Sequence, residues 1–559
     1  MKLIYLKEGR HYTAEGLEAY VHNRLTDERK KTESNDGLGK LDPASFDRGF
    51  FENLRKSINT EFDKEVVKGK NGIFAFHYVG LYDYVDENGK NLTFFFLPKF
   101  LDVVDGDEVG EDEEVKDNKT WEPNESNLAS WGTCCDSFEK SGRDILIQAI
   151  DRYSKEVSEI VDQVDVSEEK KRESILELAV RFLRDYLEKG LYIVQRRELE
   201  LNGLGEIDWQ TTIDEFQPVI KNGRPYYMDV MTEQAYSDED HYITRLQKCL
   251  VTYWGRKLEE LGLSSVLRVN VPMLSEDESD QLGDENFQIA QINRELNVQF
   301  VTRSRETLVL MKELIQRTSE NKAANYESLY FGVTGVHALW EKACAEVLGS
   351  ELDKKISECG MGRREDITFR DYMPRPFWEE MVNSEHRSQQ KGWQLDFIRT
   401  WPDKGQVKNL VILDAKYYSA YWIGKDDKRT ICGQPGMPDI AKQMFYQMAL
   451  EDLTEGKGVE IVNAFLFPVV VEKCEDLHKG DVQKGEFVKL GWKGDKFYPA
   501  KKFNSVNLFT VRIPGIPLLE KYANYMVDDV WFKKIVEFAP NKGVSNEHPC
   551  LCEGEDMGG

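Results

Sequence analysis

Asp396, Asp414 and Lys416 are the side chains in this sequence whose types and spacing point most directly to chemistry. Asp414-Ala-Lys416 ends an apolar run, Asn409-Leu-Val-Ile-Leu, and alternation along a strand puts Asp414 and Lys416 on one face while Ala415 points away. An aspartate at the end of such a run is costly unless it is paired or metal-bound. Asp396 lies in Gln394-Leu-Asp-Phe-Ile-Arg-Thr-Trp401, a second strand joined to the first by a polar turn at Pro402-Asp-Lys-Gly405. Two converging carboxylates suit a hard cation such as Mg²⁺. A lysine beside them can orient a water and offset charge on a pentacovalent phosphate. Such a constellation suits hydrolysis of a phosphodiester.

The acid-x-Lys string alone decides nothing. Asp117 to Lys119, Glu168 to Lys170, Asp353 to Lys355 and Asp426 to Lys428 match it in polar surroundings. Position at a strand end, with Asp396 on the neighbouring strand, sets Asp414 and Lys416 apart. The alternative is a buried Asp–Lys pair that holds the strand end. Upstream, a helix from about Val336 to Leu348 buries Val336, Leu339, Trp340, Ala343, Cys344, Val347 and Leu348. Glu341 borders that stripe, so it either points into a cleft or is a solvated flank, and helix pattern alone favours the flank. Downstream, Asp439 to Leu450 reads as a helix on which Gln443 and Gln447 stand one turn apart, facing the cleft or forming a polar face. Ile461 to Val470 reads as a further strand. Helix, strand, strand, helix, strand is an α/β/α order.

The elements before this core read as α+β. Phe74 to Tyr82 and Leu92 to Lys99 are expected strands with an Asn88-Gly89 turn between them. Asp102 to Glu125 is an acidic loop. Glu168 to Lys189 is an amphipathic helix with Ile175, Leu176, Leu178, Phe182, Leu183, Tyr186 and Leu187 on one face, and Gly190 stops it. Arg196 to Ile213 reads as a strand, a turn at Gly203 and Gly205, and a second strand or helix start. Tyr242 to Leu261 and Phe300 to Ser319 are expected helices, and Val266 to Val271 a strand. The expected domains are 1–190, 191–325 and 326–559, the last ending in a tail.

A chain of 559 residues exceeds one core. No secretory leader is expected, and no apolar run nears the roughly 20 residues that span a bilayer. A cytoplasmic protein without membrane contact is the expectation. The nine cysteines form no paired CxxC array, which argues against a zinc ribbon. Cys550 and Cys552 beside His548 are either a metal site or a tail. The net charge of −26 counts against a protein that grips DNA alone, because such affinity comes largely from phosphate neutralisation. Another subunit is expected to supply much of the grip.

Together, Asp396, Asp414-Ala-Lys416, the Glu341 helix and the Gln443 helix resemble the PD-(D/E)XK nuclease superfamily, with Leu395-Asp396 in place of its Pro-Asp. Tyr78-Val-Gly-Leu-Tyr82, Phe96-Leu-Pro-Lys99 and Leu201 to Ile213 resemble stretches of McrC-type restriction subunits. Ile207-Asp-Trp209 and Asp439-Ile-Ala-Lys-Gln-Met-Phe-Tyr446 resemble the LlaJI group of that class most. Gln443 and Tyr446 stand closer together than in some relatives. The resemblance implies a restriction-endonuclease-like α/β/α core with an N-terminal α+β partner-binding region. It implies Mg²⁺ or Mn²⁺ on Glu341, Asp396 and Asp414, with Lys416 and Gln443 completing the catalytic set. It implies double-stranded DNA as substrate and a McrB-like AAA+ GTPase as partner, which binds the GTP. Asp208 and Trp209 are then structural or docking residues, a turn acid and a core indole. A non-cleaving adaptor of an NTPase, or a repair or recombination nuclease working with a helicase, are the alternatives.

Overall fold

Lys404 and Gly405, both with positive φ (51° and 84°), close a hairpin on which the rest of the core is built. Its strands are β1 (Phe397–Asp403) and β2 (Gln406–Ala415), antiparallel with Phe397 opposite Leu413. The register shifts between Trp401 and Pro402, where proline cannot donate to the ladder. The computed structural model describes residues 3–32, 48–61, 67–68, 73–85, 91–101, 138, 142–163, 174–322, 327–362, 367–375, 377–379, 387–389, 394–418, 421–423, 430–469, 480–485 and 508–540. The Asn88-Gly89 turn, the acidic stretch 102–125, the start of the helix expected from Glu168, and Cys550, Cys552 and His548 lie outside these residues.

Helix α1 (Val336–Val347) precedes the hairpin, and helix α2 (Met437–Thr454) carries the chain on to β3 (Glu460–Val469). β3 runs parallel to β2, with Phe465 opposite Asp414. Parallel neighbours need a crossover, and α2 is that crossover. β4 (Gln483–Lys484) and β5 (Leu508–Pro514) complete a five-stranded sheet in the order β1-β2-β3-β5-β4. Helices α3 (Gly515–Ala523) and α4 (Asp529–Glu537) follow.

Alternation sorts the two faces. Ile398, Leu410 and Ile412 pack with Tyr446, Leu450 and Leu453 of α2, all buried. Phe397 and Trp401 point the other way and meet Phe532 of α4 edge-on or tilted. The sheet is thus layered between helices, and Asp414 shares the α2 face with Leu410 and Ile412.

The chain divides into two compact units that interleave along the sequence. One comprises Tyr5–Gly80, Phe96–Glu159 and Gly332–Gly559, and so holds this core. In it Phe100 contacts Trp340 and Tyr417, and Arg152 of the helix Arg143–Gln163 pairs with Glu346 and stacks on Tyr522.

The other unit comprises Met1–Ile4, Leu81–Phe95 and Ile160–Phe331. Its helix Ile175–Lys189 starts at a Ser174/Glu177 capping box, and Gly190 follows at φ 78°. Leu176, Leu178, Phe182 and Leu183 are buried as expected, but Leu187 is exposed and Asp185 is buried, hydrogen-bonded by Thr307 and paired with Lys189. Helices Tyr242–Glu260 and Thr302–Lys322 pack against it, and Glu285–Val298 packs on those two. Val266 to Val271 is not a strand. Arg268 takes φ 56° and the amides of Leu267 and Val269 bond back to Leu263 and Ser264, so this segment coils against its own helix instead of joining a sheet. Val194–Leu201 and Met231–Asp238 form an antiparallel pair edged by Glu206–Ile207. Asp208 caps the helix Trp209–Glu215 through the amides of Gln210 and Thr211, as a turn acid should, whereas Trp209 is 55% exposed and is no core indole. The fold is α+β overall, and no described helix is long and apolar enough to cross a membrane.

Candidate functional site

Asp414 is wholly buried at the end of β2, where the backbone ladder to β3 continues through the Lys416 amide to the Leu466 carbonyl, 2.8 Å. Asp396 immediately precedes β1. The carbonyl of neighbouring Gln394 accepts from the buried Tyr446 hydroxyl, which ties the approach to Asp396 to α2. The hairpin therefore delivers the two carboxylates to one spot. Burial, then the charge of Asp414 and a hydrogen bond with it, push the Asp396 carboxyl up to about 7. Burial would raise Asp414 as well, but the hydrogen bond with Asp396 and the ammonium groups of Lys416 and Lys442 hold it below the ordinary carboxylate value. Two adjacent carboxyls with opposite shifts mark a pair that shares one proton near neutrality.

Lys416 Nζ lies 2.8 Å from Asp414 Oδ2 and 2.8 Å from Asp439 Oδ1. Burial would lower this ammonium, and the two carboxylates more than reverse that. Asp439 has a second duty at the start of α2, where its Oδ2 accepts from the Gly436 amide, 3.2 Å. Lys416 is thus held between a strand end and a helix start.

Glu341 is partly buried on α1. Burial raises its carboxyl, and it lies in the electrostatic field of His337, Lys442, Asp414 and Lys416. No hydrogen bond joins it to Asp396 or Asp414 among the described residues, and no set of three or more His, Cys, Asp or Glu there converges as a metal cage. Gln443 is buried against the sheet. Its backbone carbonyl accepts from Asn463 Nδ2 at 3.1 Å, and its Oε1 has no hydrogen-bond partner among the described residues. Gln447 is buried too, and its Oε1 accepts from the same Asn463 amide at 3.4 Å.

Sequence reasoning missed two members. Asp439 was legible only as the first acid of a helix. Lys442 looked like an ordinary helical lysine, yet its Nζ stands 3.2 Å from Asp396 Oδ1 and 3.2 Å from Asp414 Oδ1. Its place one turn before Tyr446, which packs on the same strand face, was the available signal. Further back, the buried Tyr417 hydroxyl donates to Glu8 Oε2 at 2.7 Å, with Lys99 Nζ 4.5 Å from the Tyr417 ring centroid. Glu8 is raised by burial.

A family model described as LlaJI restriction endonuclease matches residues 135–491, more than half of the chain. The chain belongs to the LlaJI restriction endonuclease family. The span that matches this LlaJI model contains Glu341, Asp396, Asp414, Lys416, Asp439, Lys442 and Gln443. Among curated proteins, the chain is 32% identical over 283 residues to the Type II restriction enzyme BsuMI component YdjA of Bacillus subtilis. The match covers 50% of this LlaJI-family chain and 55% of YdjA, so the chain spans about half the length of that relative. Among solved structures, a half-complex of Thermococcus gammatolerans McrB AAA+ hexamers with bound McrC overlaps 96% of this chain and 99% of that chain, at 12% identity and a TM-score of 0.34. The McrBC complex of the same organism overlaps 56% of this chain and 80% of that chain, at 14% identity and a TM-score of 0.19. Neither overlap is close enough to carry an argument.

The donor set fits a hard dication. Asp396 and Asp414 present oxygen ligands at one place, one of them buried, with a mutual repulsion that already raises Asp396.

Proposed function

We propose that this chain is a metal-dependent DNA endonuclease subunit of a restriction complex that acts in the cytoplasm with a McrB-like AAA+ GTPase. The observation that carries this reading is the buried Asp414 beside the partly buried Asp396, with Lys416 fixed next to them at the end of a central strand. Asp396 and Asp414, with Glu341 at the border, would hold Mg²⁺ or Mn²⁺. When bound, such an ion polarises the phosphate and acidifies water. Lys416 keeps its proton because two carboxylates surround it, so it serves as a fixed positive charge for the phosphoryl oxygens as negative charge builds there. The attacking water forms a P–O bond and gives up a proton to solvent, the bond to the leaving sugar oxygen breaks, and the leaving oxygen takes a proton from solvent.

The net charge of −26 supports a divided task in which the partner binds GTP and much of the DNA. The 191–325 region is the part we assign to docking. It exposes Leu204 (98%), Met228 (80%), Ile220 (65%) and Trp209 (55%), apolar side chains that a partner could cover.

The test is cleavage of plasmid DNA by the chain with its McrB-like partner, with and without GTP and with and without chelator. Cleavage is expected only with partner, GTP and metal together. Asp414→Ala and Lys416→Ala should each lower it by at least about 10²-fold while co-purification with the partner persists. Undiminished cleavage by either variant overturns the assignment. GTPase stimulation without any DNA hydrolysis by the wild type would instead favour the adaptor reading.

A further inference from the structure

The carboxylate pair is already claimed by a cation of the protein's own. Lys442 Nζ is equidistant, at 3.2 Å, from Oδ1 of Asp396 and Oδ1 of Asp414. Asp414 Oδ2 faces Lys416 Nζ at 2.8 Å as an ion pair. The two Oδ1 atoms converge on one point, so a dication held there by both carboxylates would meet the same two oxygens. Magnesium sits about 2.1 Å from its oxygen ligands, so a metal and an ammonium group cannot share those two atoms. One must leave. Lys442 is able to, because its side chain is 24% exposed and carries a flexible four-carbon stem that passes near the Tyr446 ring, 5.6 Å from Nζ to the ring centroid. Lys416 is less free, being bonded both to Asp414 and to Asp439 on α2.

We propose that Lys442 is a tethered counter-cation which occupies the metal seat between Asp396 and Asp414, is displaced when a divalent ion binds, and is then free to meet substrate phosphate. This inference rests on the metal-dependent reading of the site. It adds a second ammonium, beside Lys416, to the charge that lets two adjacent carboxylates be built into the fold before any metal arrives. It also makes metal affinity a competition, set by how well the ammonium holds the pair. Lys442 is on this account a positioning residue for the metal step, distinct from Lys416, which stays in place.

The experiment uses the full-length chain and Mn²⁺ as the probe. Calorimetric titration should show Lys442→Met binding Mn²⁺ about tenfold more tightly than the wild type, because the competitor is gone. In chelator the same variant should melt below the wild type, with the gap closing as Mn²⁺ is added. Lys442→Arg keeps the charge and should bind no more tightly than the wild type. A readout on the unaltered protein is amine acylation followed by mass spectrometry. Lys442 should be protected in chelator and reactive in Mn²⁺, while Lys416 changes little. Equal or weaker Mn²⁺ binding by Lys442→Met, or Lys442 reactivity that ignores Mn²⁺, overturns the inference. Failure of Lys442→Met to fold leaves the acylation result to decide. If the wild type itself binds no Mn²⁺, or Asp414→Asn binds it as well as the wild type, the metal-nuclease reading falls instead.

Discussion

A carboxyl that holds its proton up to about 7 in the folded chain, but releases it near the ordinary 3.8 when unfolded, makes stability depend on pH in a definite direction. Between those two values the folded state binds more protons than the unfolded one, so stability falls as pH rises. Asp414 shifts the opposite way, and its contribution is already complete above the ordinary value. The wild type in chelator should therefore lose melting temperature between pH 5 and 7.5, and Asp396→Asn should lose less over the same range. Parallel slopes would refute the shift. The same proton must leave before a cation binds, so Mn²⁺ affinity should weaken below pH 7, by up to about tenfold per unit for a single proton. At this scale the sequence was partly legible. Asp414 and Lys416 could be read because a charged pair at the end of an apolar strand is costly. Lys442 could not, because a lone lysine in a helix has no such tension until the helix is packed.

The packing that gives Lys442 its place belongs to elements. The crossover α2 lies on the face of β2 that carries Leu410, Ile412 and Asp414, and Tyr446, Leu450 and Leu453 seal that contact. Ile412 is fully buried two residues before Asp414. Ile412→Ala should cost about 2–5 kcal/mol, read as a lower midpoint in urea. Because the cavity opens under α2, the variant should also loosen the hold of Lys442 on the pair. Mn²⁺ binding should then change in Ile412→Ala but not in a matched truncation on the opposite face, such as Val411→Ala. The hairpin itself was legible, since two apolar runs flanking Asp403-Lys-Gly405 admit little else. Val266 to Val271 misled for the converse reason. Its β-branched residues are buried by a helix, and local composition does not tell that burial from burial in a sheet. Glu341 was ambiguous because the edge of a stripe faces water or a cleft depending on what packs beside it, and only the tertiary arrangement brings Lys442 and Asp414 near.

At the scale of the molecule, the core that carries Asp396 and Asp414 is not built from the C-terminal residues alone. Its compact unit includes Tyr5–Gly80 and Phe96–Glu159. The side chains that join them are buried and polar as often as apolar. Glu8 accepts from Tyr417, directly after Lys416. Arg152 is ion-paired to Glu346 and stacked on Tyr522 and Tyr525. Phe100 packs against Trp340. A fragment covering residues 326–559 would leave Tyr417 without its acceptor, Glu346 without its guanidinium partner, and the Trp340 side of α1 stripped of cover. Losses of buried polar partners cost about 1–3 kcal/mol each and more for charges, against a total stability of roughly 5–15 kcal/mol. Two such losses, with the cover of Trp340 lost as well, reach the lower end of that margin. The fragment should therefore show helical and strand signals without a cooperative thermal transition, whereas the full chain melts cooperatively. Adding residues 1–159 as a separate polypeptide should restore the transition, because the contacts reform without a covalent link. A fragment that melts cooperatively alone would show that these N-terminal contacts are dispensable to the core. The outcome also bears on activity, since Tyr417 is the residue through which the N-terminal segment reaches the strand end that carries Lys416.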